Sequence, residues 1–311
     1  MPAVFSNFAA FEAAWEPEAV CWVDVATLDR PVIEGLARLF GLEHEAVEDS
    51  LEGTQRARTD DYEDHLFVLL YAAVGREEPP FFSARKLCMF YAEHFLITLS
   101  DAPVRTIEDM HIRLSRFPQQ LGRGLDQLFF DVVDGVVDNY VLCAETYDEK
   151  LEALETESLS DPWRPGFLAD VTAMRRELIE FRRALMSLRE LLTPYMRGAY
   201  RHITEGLARD FLHVHHHLTY AWELAEGLRE ITQGIRENFN AQLAERQNNH
   251  MRTLTIFATF LLPLSLIAGI YGMNVPLWPG ENAAWAFPAI LGVMGVVATG
   301  MILFFRKRHW F

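Results

Sequence analysis

Hydrophobic positions change their spacing twice along this chain of 311 residues. In the first third they come as short, mostly apolar runs at 20–26, 66–74, 86–91 and 95–99. Runs of that length, rich in β-branched and aromatic side chains, predict strands. After the first run, Thr27 or Asp29 can cap a helix that carries Pro31 early and stops at Gly41. A second short helix follows over 43–51, while 75–80 and Glu93-His94 supply turns. Asp60, Asp61, Glu63 and Asp64 precede a strand and read as a solvated turn. The pattern predicts a mixed or antiparallel sheet with helices packed on it, an α/β domain over residues 1–120.

From residue 121 the period becomes helical. Leu125, Leu128, Phe129, Val132, Val133, Val136, Val137 and Tyr140 share one face, and an acidic end follows at Glu145, Glu149, Glu152, Glu155 and Glu157. Pro162 and Pro165-Gly166 break the pattern, and a second helix returns over 168–192, where Thr193-Pro194 ends it. A third starts near Tyr200 or His202 and meets no proline until Pro263. It gives a rod of roughly 70 residues, about 100 Å, which needs copies of itself to pack against.

That rod runs into 253–274, an apolar stretch without a charge that closes on Gly272-Met273-Asn274. A second uncharged run occupies 284–305, and only a short loop separates the two. Roughly 20 apolar residues cross the hydrocarbon core of a bilayer, so the pair predicts a membrane hairpin. Arg306, Lys307 and Arg308 follow the second run, and Arg246 and Arg252 precede the first. Basic residues are retained on the cytoplasmic side, which puts both termini in the cytoplasm and the loop, with its single acid Glu281, outside. Tyr271, Trp278, Trp285 and Trp310 fall at interfacial depths. The expected divisions are 1–120 (α/β domain), 121–198 (acidic antiparallel helical pair), 199–252 (stalk helix), 253–274 (first span), 275–283 (external loop), 284–305 (second span) and 306–311 (basic tail).

Composition sharpens this. Net charge is −16, from 44 acids against 28 bases. An acidic cytoplasmic body repels nucleic acid and concentrates cations. The N-terminus lacks a basic region followed by an apolar run, so no secretory signal is expected. Cys21, Cys88 and Cys143 are odd in number and widely spaced, as small buried hydrophobes in a reducing cytosol would be. No phosphate loop, dinucleotide fingerprint or HExxH pattern appears in the α/β domain, so the chain is not expected to be an enzyme. A membrane-anchored sensor that transports nothing is the non-transport alternative.

Asn248, Met251, Leu254, Ala258, Leu262, Ser265, Gly269 and Asn274 follow one another at three to five residues and share a face. Small residues in a span serve close helix packing. The other reading is a pore lined by neutral polar groups, with Met251 and Leu254 as an apolar constriction. A lining without carboxylates suits a cation that keeps its water, and Mg2+ dehydrates reluctantly.

The stretch RQNNHMRTLTIFATFLLPLSLIAGIYGMN, its place in the first of two C-terminal spans and the basic ending resemble the CorA family of magnesium and divalent-cation transporters. The resemblance implies a funnel-shaped homopentamer in the plasma (bacterial inner) membrane, driven by the membrane potential. It implies no cofactor, and Mg2+ as both cargo and regulator, with Co2+ and Ni2+ as secondary ions. Gly272, Met273 and Asn274 would form the selectivity filter. Asn248, Met251, Leu254, Ala258, Leu262, Ser265 and Gly269 would line the pore, and Arg306, Lys307 and Arg308 would form a basic collar. Two features depart from the family. The residues after the tripeptide are Val275-Pro276-Leu277-Trp278-Pro279-Gly280-Glu281, where relatives carry an acid earlier. The upper stalk, where the family places acids of its inhibitory sites between subunits, has His213, His215, His216 and His217. His213 and His217 stand one turn apart with His216 beside them, a set that suits a regulatory transition metal, a zinc-carrying ZntB-like relative, or a solvated face.

Overall fold

A computed structural model describes residues 8–16, 19–53, 55–117, 124–160, 162–273 and 285–307. Two compact units divide the chain, Met1–Arg236 and Glu237–Phe311.

The first unit is built on five strands: β1 (Cys21–Val25), β2 (Arg58–Asp61), β3 (Leu66–Gly75), β4 (Phe82–Tyr91) and β5 (Phe95–Ser100). Their order is β1-β5-β4-β3-β2, with β1 parallel to β5 and every other pair antiparallel. The interior strand β3 reads LFVLLYAAVG and is buried along most of its length, so each face of the sheet must be covered by other elements. On one face lie Phe67, Leu69, Cys88, Phe90, Ile97 and Leu99. They pack against Ile33 and Leu36 of α2 (Arg30–Phe40) and against Ala46 and Val47 of α3 (His44–Leu51). Gly41 ends α2 at φ +67°, a left-handed conformation that glycine adopts without a Cβ penalty.

The other face meets α5 (Leu125–Ser160), where the Tyr140 hydroxyl donates to the Tyr71 carbonyl at 2.9 Å and Tyr91 stacks on Phe129 at 4.6 Å. The helix α6 (Phe167–Met196) runs antiparallel to α5, since Tyr147 meets Phe181 and Phe129 meets Tyr195. The first turns of α7 (Glu205–Tyr271) lie along α5 in the same sense, with Phe211 against Phe130 and His217 against Asp138. Thr204 caps α7, its hydroxyl accepting from the Leu207 amide at 3.2 Å.

Several elements differ from the sequence reading. The short helices α1 (Phe8–Ala14) and α4 (Arg105–Arg116) were not expected. Asp60 and Asp61 belong to β2, an edge strand that tolerates charge because one side faces solvent. The helix α6 does not stop at Thr193-Pro194 but continues to Met196. Pro194 lies in its last turn, where little of the hydrogen-bond ladder remains to be broken, and the Thr193 hydroxyl donates to the Arg189 carbonyl.

The second unit holds the C-terminal part of α7 and α8 (Ala286–Lys307). Both are long and apolar enough to cross a membrane. Phe260 meets Phe305 at 5.7 Å between ring centroids, and Phe305 is buried.

Candidate functional site

The apolar part of α7 has two unlike faces. Ile256, Phe260, Leu264 and Ile267 are half-buried, and Phe260 is the one whose ring meets α8. The stripe Asn248, Met251, Leu254, Ala258, Leu262, Ser265 and Gly269 lies elsewhere on the helix and is exposed throughout. Met251, Leu254 and Leu262 show 62%, 64% and 69% of their surface. Ala258, Leu262 and Ser265 share an open groove with Leu261 and Leu266. In a single chain such a face has nothing to bury it. Within a membrane it meets lipid, other helices, or water held among copies of itself.

At the end of the stripe the Gly272 amide donates to the Ala268 carbonyl at 2.9 Å, and the Met273 amide to the Ile270 carbonyl at 3.2 Å. A Cβ at residue 272 would stand 3.1 Å from the Ala268 oxygen, so any other residue there crowds the end of the helix. Met273 is exposed. Asn274, Glu281, Trp278, Arg308 and Trp310 lie outside the described residues. Arg306 and Lys307 occupy the last turn of α8, where their charge complements the helix dipole.

The stalk histidines separate. His216 is exposed, and His215 has a buried Nδ1 without a hydrogen-bond partner among the described residues; burial lowers its pKa, with Arg189 and His216 acting the same way. The His213 and His217 rings meet at 4.3 Å, as their spacing of one turn requires. His217 also reaches α5, where its Nδ1 is 3.2 Å from Asp138 Oδ1. Asp134, Asp138 and His217 bring one possible ligand atom each to within 4.8 Å of one another. Among the described residues, the three side chains that bring possible ligand atoms together are Asp134, Asp138 and His217, which share only His217 with the expected set 213/216/217. Sequence spacing could not show this, because the acids come from another helix. Burial raises the Asp134 pKa, Asp138 adds to it, and His217 and His213 oppose it.

An acidic α/β body and two helices long and apolar enough to cross a membrane, one with an exposed stripe of small, polar and apolar residues, fit a membrane transporter of cations. The sequence profile of the CorA-like Mg2+ transporter protein matches residues 17–307, and the chain belongs to that family. It is 27% identical over 296 residues to the cobalt/magnesium transport protein CorA of Thermotoga maritima, covering 93% of this chain and 83% of that one. The divalent cation transporter CmaX of Pseudomonas aeruginosa is 25% identical over 303 residues, 94% of this chain and 88% of its own. Among solved structures, CorA from Methanocaldococcus jannaschii superposes with a TM-score of 0.83 at 19% identity, over 93% of this chain and 91% of that one. Full-length CmaX gives 0.72 at 25% identity, over 93% and 88%. The chain is thus a divalent-cation transporter with the α/β domain, long helix and paired apolar helices of this fold, and not an enzyme.

Proposed function

We propose that five copies of this chain form a channel that admits Mg2+ down the membrane potential across the plasma membrane, with Co2+ and Ni2+ as secondary cargo. The observation that carries the reading is the exposed stripe from Asn248 to Gly269, leading to Gly272-Met273. A helix that merely anchored a soluble domain would need apolar residues all round, whereas this face interrupts them with the hydroxyl of Ser265 and with Gly269, beyond the amide of Asn248 that precedes the span. Surrounded by copies, the stripe lines a path whose oxygen groups contact an ion that keeps its water, and Met251 and Leu254 narrow it. Asn274 completes the outer ring, and Glu281 supplies an acid near the entrance. Both termini face the cytoplasm because the basic residues at 306–308 stay there. Cytoplasmic Mg2+ closes the channel by screening acids between neighbouring domains, and its loss widens the pore.

The stalk histidines favour one second reading, a zinc transporter, which competition between Mg2+ and Zn2+ in uptake separates from the first. Asn274→Ala tests the filter. Uptake of Mg2+ into cells should be lost while the pentamer survives solubilisation; undiminished uptake would remove this residue from the selectivity ring.

A further inference from the structure

Asp134 and Asp138 stand one turn apart on α5, and His217 faces them from α7. The three residues offer two carboxylates and an imidazole with ligand atoms inside 4.8 Å. Four-coordinate Zn2+ at about 2.0–2.1 Å separates its ligand atoms by about 3.4 Å. The pair His217 Nδ1 and Asp138 Oδ1, at 3.2 Å, already has that separation. Asp134 Oδ1 is buried and has no hydrogen-bond partner among the described residues. A buried carboxylate oxygen without a donor is costly unless something positive reaches it. Both aspartates also line an open cavity of about 310 Å3 between α4 and α5, together with Arg105 and Arg113.

We infer that Asp134, Asp138 and His217 form a transition-metal site within a single chain, tying α5 to α7. The donor set decides the ion. Mg2+ takes oxygen ligands and holds its waters, so an imidazole nitrogen is a poor partner for it. Zn2+, Co2+ and Ni2+ accept mixed nitrogen and oxygen sets. His213, one turn before His217 with its ring 4.3 Å away, stands close enough to supply a fourth ligand by a change of rotamer. Without metal, His217 Nδ1 and Asp138 Oδ1 face each other at 3.2 Å across the two helices; the ion replaces that contact with bonds to both. This site is separate in kind from the magnesium-responsive acids between subunits proposed above, and only a regulatory consequence, transition metal acting on the gate, rests on the transport reading.

The test is Co2+ binding to the full-length protein in detergent, followed by visible absorption. The expected result is stoichiometric uptake of Co2+ with the intense bands of four- or five-coordination, displaced by Zn2+ and retained under about a hundredfold excess of Mg2+. His217→Ala and Asp138→Asn should each weaken binding at least about tenfold, while Asn274→Ala keeps the spectrum. Zn2+ should raise the melting temperature of the parent chain and leave that of His217→Ala unmoved. His217 is part-exposed, and circular dichroism checks that its replacement folds. Weak six-coordinate bands, displacement by equimolar Mg2+, an unchanged spectrum in His217→Ala, or loss of the spectrum in Asn274→Ala would each overturn the site. No flux measurement enters these readouts, so failure of the transport reading leaves them intact.

Discussion

Replacing Phe211 by alanine would test whether the first turns of α7 are held to the rest of the cytoplasmic unit by packing. The Phe211 ring is fully buried and meets three others: Tyr195 at 5.0 Å, Phe130 at 5.6 Å and Phe129 at 6.0 Å. Phe129 in turn stacks on Tyr91 of the sheet, so a continuous aromatic path links β4, α5, α6 and α7. Truncation removes the transfer free energy of a phenyl group and leaves a cavity that rigid neighbours fill only in part, costing about 3–5 kcal/mol. In a unit of this size about 1 kcal/mol moves the melting temperature by roughly 2–4 °C, so a fall of about 10 °C is expected. Thermal unfolding of the detergent-solubilised chain, followed by helical circular dichroism, measures it. Phe211→Leu keeps most of the volume and should lose less than half as much. His213 and His217 follow on the same helix, so the alanine variant should also weaken Co2+ binding. A melting temperature unchanged within about 2 °C would refute the claim that this path carries the packing.

Two further predictions concern buried polar groups. Lys86 is almost fully buried and its ammonium donates to the carbonyls of Asp49 at 2.5 Å, Ser50 at 3.0 Å and Glu52, where α3 ends. Lys86→Met strips three carbonyls of their donor and should cost about 3 kcal/mol, visible as an earlier urea midpoint; an unmoved midpoint would show that water replaces the ammonium at no cost. His65 is buried against Phe90 and Tyr62, and neither ring nitrogen has a hydrogen-bond partner among the described residues. Burial lowers its pKa, so the folded protein holds it neutral while the unfolded chain takes a proton near pH 6.5. Stability is therefore full above that pH and falls as pH drops toward the folded value. The melting temperature should fall between pH 7.5 and 5, and His65→Phe should show a smaller fall; equal falls would contradict the assignment.

Much of this was readable in the chain because local pattern and burial agree. The runs that became β3 and β5 are apolar along their length, and Gly41 ends α2 where a left-handed residue is needed. What escaped depended on tertiary partners. Asp60 and Asp61 look like turn residues until β2 is seen to pair with β3 at an exposed edge. The helix α4 is polar on average and gains its place from the few buried side chains Ile107, Met110 and Leu114. For the candidate pore, the sequence shows which residues share a face, and the structure adds that this face stays uncovered in one chain. For the histidines, one-turn spacing brought His213 and His217 together, but only the packing of α5 against α7 reveals Asp134 and Asp138 beside them.

Magnesium is proposed above as the first cargo of this divalent-cation transporter, drawn in by the membrane potential. Purified protein in proteoliposomes loaded with a magnesium-sensitive dye, held at an inside-negative potential with no pH gradient, tests it most directly. Mg2+ entry should rise with the potential and persist in the presence of equimolar Zn2+. Entry of Zn2+ without Mg2+, or entry only when a pH gradient is imposed, would contradict it.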